Sequence, residues 1–203
     1  MKAVLRSVKP YWLYLILTGK KTIEVGKSCP QAPDWNKVVE MYCSKDMRSF
    51  NRIPEEDKKW MRKYLGKVAC RFVCDWIAEY DCELYNDGSE EEIRSVWYDE
   101  DDGERYTEII AENGDNPMIL RHACMSLNEL RAYMGNGEKT FYAWHISDLK
   151  IYDKPKELNE FLLPCGGKFV GGCNLLNVKD AECINRGKRC ATRTPQSWMY
   201  IEE

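Results

Sequence analysis

The chain has 203 residues, a formal net charge of −3 from 30 basic and 33 acidic side chains, and a content of 44% hydrophobic and 31% charged residues. This is enough apolar material for a sizeable core, too much for a disordered chain and too little for a membrane protein, so a cytoplasmic, non-membrane protein is expected. The charge balance supplies no global pull toward nucleic acid, and any such contact must come from a local patch.

Residues 2–8 alternate and read as a strand. Pro10 suits a first helical turn, and Tyr11 to Thr18 form a short helix stopped by Gly19. The apolar run from Tyr11 to Leu17 is too short to span a bilayer and has no small-residue cleavage site after it, so it reads as a buried first helix. The stretch "GKKTIEVGKS" then gives a turn and a strand over 21–27. Gly26 interrupts that strand, which marks a bulge or a place where something approaches the backbone closely. Lys21 and Glu24 are three apart, so a regular strand would place them on opposite faces.

Val38 to Ser44 reads as a third strand, and "IPEEDKKWMRKYLG" as a helix with acids in its first turn and a closing glycine. Residues 67–80 form one long apolar run whose length invites a bend. Residues 87–108 concentrate the acid in a solvated insertion, part of which packs through Trp97 and Tyr98, and which offers a surface to a protein partner. Ser126 with Glu129 forms a capping box, residues 140–152 read as a strand pair or a bent strand, and "QSWMYIEE" closes the chain as a strand. Several strands with short helices between them predict an α+β fold, a small barrel or curled mixed sheet.

Ten cysteines in a chain of this size, with no secretion signal legible, indicate free thiols in a reducing compartment. Cys165, Cys173, Cys183 and Cys190 lie in a Gly- and Lys-rich tail at C-x7-C-x9-C-x6-C spacing, without a C-x2-C knuckle. They either hold a structural zinc or remain free in a loop; no other cofactor is required. The glycine-rich "GGKFVGGCN" lacks the ending of a phosphate loop.

Taken in order, the first strand, "KP", a short helix, "TGKKTIEV", a "GKV" strand, "WHISDLKIY" and "YDKPKEL" resemble the ASCH domain, a branch of the PUA-like β-barrels. The closing "PQSWMYIEE" is similar to a stand-alone subgroup common in phages and Firmicute-type hosts. The resemblance implies one PUA-like mixed β-barrel domain over 1–203, with insertions at about 85–120 and 165–192. It also implies a cleft beside the first helix, binding of RNA, a nucleotide or a modified nucleoside, and in a few members hydrolysis of acylated cytidine or cleavage of RNA. A third reading is a phage-borne protein that binds a host factor or a nucleotide signal, with the acidic insertion as its partner surface. The amidohydrolase members use a lysine, a residue three positions on and a glutamate; here these positions carry Lys21, Glu24 (threonine in those enzymes) and Arg71 (glutamate in those enzymes). The subgroup's E-V-R-K reads Glu24-Val25-Gly26-Lys27. Gly26 and Arg71 are therefore readable as one exchange of a guanidinium between two strands.

Arginine stays protonated and makes a poor base but a good anion clamp, which favours binding over a hydrolytic triad. Candidate ligand-binding residues are Lys9, Trp12, Lys20, Lys21, Glu24, Lys27, Arg71, Trp144, Ser147 and Trp198, combining cations with stacking aromatics. If the protein is an enzyme, Lys21 and Glu24 act with His145, which alternation places on one face with Ala143 and Ser147, opposite Trp144.

Overall fold

A computed structural model describes residues 2–84, 92–101, 103–112, 116–135, 137–164 and 190–202. The chain divides into two compact units, Met1–Tyr14, Gln31–Phe72 and Leu149–Glu203 in the first, and Leu15–Pro30 with Val73–Asp148 in the second.

In the first unit, β1 (Lys2–Val8) runs parallel to β3 (Trp35–Cys43) and antiparallel to β10 (Trp198–Glu202). With β4 (Val68–Val73) and β9 (Ser147–Lys156) they make a mixed sheet of order β10-β1-β3-β4-β9. Ala3, Leu5, Val38, Tyr42, Val68, Phe161, Ala191 and Ile201 form its buried cluster. The acids expected in the first turn are present in α3 (Glu55–Met61), and the helix tightens into a 3-10 turn over Arg62–Tyr64. The short α2 (Met47–Phe50) starts on the Asp46 side chain, which accepts a hydrogen bond from the Ser49 backbone N–H at 3.1 Å.

The second unit contains an antiparallel sheet of order β2-β8-β5-β6-β7, built from β2 (Ile23–Gly26), β8 (Gly137–His145), β5 (Ile77–Leu84), β6 (Glu92–Tyr98) and β7 (Arg105–Glu112). Two helices belong to it, α4 (Met118–His122) and α5 (Leu127–Met134); the Ser126–Glu129 capping box opens α5. Helix α1 (Pro10–Leu17) begins in the first unit and ends in the second.

One expectation is corrected. The run at 67–80 is two strands in different sheets, β4 and β5, separated by Cys74, Asp75 and Trp76. Among its described residues the acidic stretch is largely strand, with β6 and β7 continuing the sheet from β5. Trp97 and Tyr98 remain 46% and 53% exposed, and Trp97 stacks on Tyr106 of β7. The four-cysteine tail lies mostly outside the described residues, which include only Cys190 of that set. Among the described residues no group of three or more His, Cys, Asp or Glu is placed to hold a metal, and no helix is long and apolar enough to cross a membrane.

Candidate functional site

Lys21 is the least expected feature of the second unit. The sequence casts it as a strand-borne cleft cation, yet it precedes β2 and is only 2% exposed. After Gly19, which adopts φ +72°, the backbone N–H groups of Lys20 and Lys21 both donate to the Leu15 carbonyl at the end of α1, and this turn tucks the lysine inward. Its Nζ donates to the Ala123 carbonyl at 2.8 Å and lies 3.4 Å from Glu24 Oε2. Because Lys21 stands outside the strand, alternation does not separate it from Glu24, and no bulge is needed to bring them together.

The Ala123 carbonyl is itself held in place. Cys124 takes the left-handed conformation at φ 52°, uncommon for a residue other than glycine, and its Sγ donates to the Lys20 carbonyl at 3.1 Å. Beside it the Thr22 hydroxyl lies 3.2 Å from His122 Nδ1, a partner for His122 that the sequence does not reveal. A buried ammonium beside a buried carboxylate costs desolvation that only good geometry repays. Such a pair suits polar chemistry at a fixed point.

Gly26 continues β2 in regular register opposite Tyr142, so it is not a bulge. The same register sets Glu24 opposite Trp144 and Ile23 opposite His145. Directly opposed residues share a face and neighbours alternate, so Glu24 and His145 leave the sheet on opposite sides. The second unit therefore joins Lys21 to Glu24 but does not bring His145 to them.

His145 has its own partners. Its Nδ1 is 2.6 Å from Asp75 Oδ1, and its ring stacks on Trp76 at 4.9 Å and 6°. The hydrogen bond from His145 holds the Asp75 carboxyl below the usual carboxylate range. Ser147 donates to the Val73 carbonyl at 2.8 Å, closing the same corner. Of the remaining candidates in this unit, Lys20 is exposed, Lys27 lies with its Nζ 4.9 Å from the Tyr133 ring centroid, and Trp144 is fully buried. Core packing accounts for Trp144 as it stands.

The first unit holds Lys9, Trp12, Arg71 and Trp198. Arg71 is half-buried in β4, and Trp198 meets Tyr200 edge-on at 5.2 Å. Lys9 is exposed and 3.7 Å from Asp46. Trp12 belongs to a cluster the sequence did not disclose. The Arg52 guanidinium sits 4.0 Å from the Tyr11 ring centroid and 5.2 Å from that of Trp12, and the two rings meet edge to face at 5.3 Å. The Tyr11 backbone N–H donates to Ser49 Oγ at 3.1 Å, tying the start of α1 to α2, where exposed Arg48 lies. The signal that would have found it is the pair of arginines at 48 and 52, which no periodicity connects to residues 11 and 12.

A buried carboxylate completes the first unit's polar features. Tyr152 donates its hydroxyl to Glu40, with 2.8 and 2.7 Å to the two oxygens, and burial followed by this hydrogen bond pushes the phenol well above its usual range.

No family model matches the sequence, and no curated protein does. Among solved structures, the chain is similar to an ASCH protein from Zymomonas mobilis at 14% identity, covering 99% of this chain and 88% of that one with a TM-score of 0.50. A single-substitution variant of that protein aligns at 14% identity over 100% and 92% of the two chains, TM-score 0.49. At this identity the likeness concerns the fold alone, a mixed α+β architecture shared with that ASCH protein.

Proposed function

We propose that the protein binds RNA, a nucleotide or a modified nucleoside, with Tyr11, Trp12 and Arg52 as its stacking platform and Lys9 and Arg48 as phosphate contacts. The observation that carries this reading is the Arg52 guanidinium lying over two aromatic rings of α1, next to exposed cations. Bases stack on aromatic and guanidinium planes, and lysines and arginines neutralise phosphate. The platform is preformed, because Asp46 caps α2 and Ser49 fixes the α1 start, so little ordering entropy is lost on binding. The test is quenching of tryptophan fluorescence by nucleoside monophosphates, compared between the wild-type chain and Trp12→Phe and Arg52→Ala. Saturable quenching that weakens about tenfold in Arg52→Ala is the expected result; quenching identical in all three proteins would exclude the platform.

A second reading, hydrolysis of an acylated cytidine or of RNA, draws on the buried Lys21–Glu24 pair. Arg71 stands where the family resemblance has glutamate, which removes a base from that scheme. Little or no release of the acyl group from an N-acylcytidine is expected. Turnover at rates ordinary for enzymes, abolished by Lys21→Met, would put this reading first.

A further inference from the structure

The far end of the second unit's sheet carries a surface of a different kind, independent of the nucleic-acid reading. Trp97 of β6 and Tyr106 of β7 are directly opposed and stack at 6.2 Å and 18°, yet they are 46% and 41% exposed. Exposed tryptophan and tyrosine facing water on a sheet are costly unless something covers them. Along β7 the register alternates, so Glu108, opposite Ser95, shares the face of Tyr106. Glu104 joins them from the other side, accepting a hydrogen bond from the Tyr106 hydroxyl at 3.3 Å. The hairpin's arginines are drawn to the opposite face. Arg94 pairs there with Glu83 and Glu92, and Arg105 with Asp81 at 2.6 Å and Glu79 at 3.4 Å. The aromatic face is thus left with carboxylates, and Asp99, Glu100 and Asp101 crowd the turn.

We infer that this aromatic shelf docks a Lys/Arg-rich polypeptide segment of a partner protein, laid as an added strand along β7. Three features select that occupant. Aromatic faces attract cations, and the flanking Glu104 and Glu108 complete a site for an ammonium or guanidinium group while repelling phosphate. Among the described strands β7 ends its sheet, so its outer backbone groups are placed to pair with an extended chain. In an extended peptide alternate side chains share a face, so every second basic residue reaches the shelf.

The experiment uses the full chain and a fluorescent twelve-residue peptide of alternating arginine and threonine, read by anisotropy in moderate salt. Saturable binding is expected, falling about tenfold in Trp97→Ala and further in Glu108→Lys, with unchanged melting temperature because both side chains are exposed. Methylating alternate peptide nitrogens should weaken binding at constant charge, the signature of strand addition. Absence of binding to the wild-type chain overturns the proposal. So does binding lost in Glu108→Lys but untouched by Trp97→Ala, which reduces it to diffuse charge. Self-association abolished by Trp97→Ala, or a single-stranded RNA that binds this face in place of the peptide, would assign the surface to another occupant and overturn it too. The Arg52→Ala variant should bind the peptide like wild type, which separates this outcome from that of the nucleic-acid platform.

Discussion

Removing the Lys21 ammonium strands the Glu24 carboxylate where water barely reaches. Lysine in a strand facing a cleft would have been a nearly neutral position for stability; the buried pair makes it an expensive one. Lys21→Ala is expected to destabilise the fold by about 3 kcal/mol, read by urea denaturation, whereas Lys21→Met combined with Glu24→Leu should recover most of that loss. Equal losses in the single and double variants would mean that the two charges do not depend on each other. The cysteines give a second test at this scale. Burial pushes the Cys43 and Cys82 thiols up to about 12 and raises Cys70 as well, and Cys74 is also buried. At pH 8 these four thiols should resist a thiol reagent in the folded chain and react only in denaturant. Cys29 and Cys124, both half-exposed, should be open to it without unfolding.

Among the elements, those with local punctuation were legible and those without it were not. β1, α1, α3, α5 and β10 all follow from alternation, proline, glycine or capping signals, and each is found within a few residues of its expected bounds. The β4–β5 passage was legible only as a bend and the β8–β9 passage only as a strand pair or a bent strand, because no glycine or proline marks Cys74–Trp76 or Ile146. There the chain leaves one sheet for the other, and what fixes the turn is tertiary: His145 on Asp75 and Trp76, and Ser147 on the Val73 carbonyl. The candidate site divides in the same way. Lys21 and Glu24 could be named from the sequence, but Ala123, which accepts from Lys21, and Cys124, which donates to the Lys20 carbonyl, are about a hundred residues away and carry no motif. The caps permit element-level tests. Ser126→Ala should cost about 1 kcal/mol by removing the hydroxyl half of the α5 box, the acceptor for the Glu129 backbone N–H. For α2, the hydrogen bond from the Ser49 N–H lowers the Asp46 carboxyl from its ordinary value. A depressed carboxyl contributes stability that is full above the unfolded pKa, near 4, and is lost as pH falls through the folded value. Asp46→Asn, which keeps the cap and loses the charge, should flatten that part of the acid unfolding curve.

At the scale of the molecule, a net charge of −3 gives no general attraction for polyanions, so nucleic-acid binding has to be local and small in its salt dependence. The described surface offers two chemically opposite patches: cations over aromatics at the start of α1, and carboxylates beside aromatics on the β6–β7 hairpin. The resemblance visible in the order of "TGKKTIE", "WHISDL" and "PQSW" anticipated the fold; neither patch follows from those motifs, because both depend on side chains outside them.

The most direct measurement of the central claim is a salt titration of the full chain against a labelled single-stranded RNA of about a dozen nucleotides. Wild-type affinity should fall log-linearly with salt at a slope of a few charges, Lys9→Ala should lower that slope by about one, and Trp12→Ala should weaken binding by about 1–3 kcal/mol at every salt concentration. Absence of binding to RNA and to nucleotides at low salt, or affinity unchanged by both Trp12→Ala and Arg52→Ala, would contradict the account.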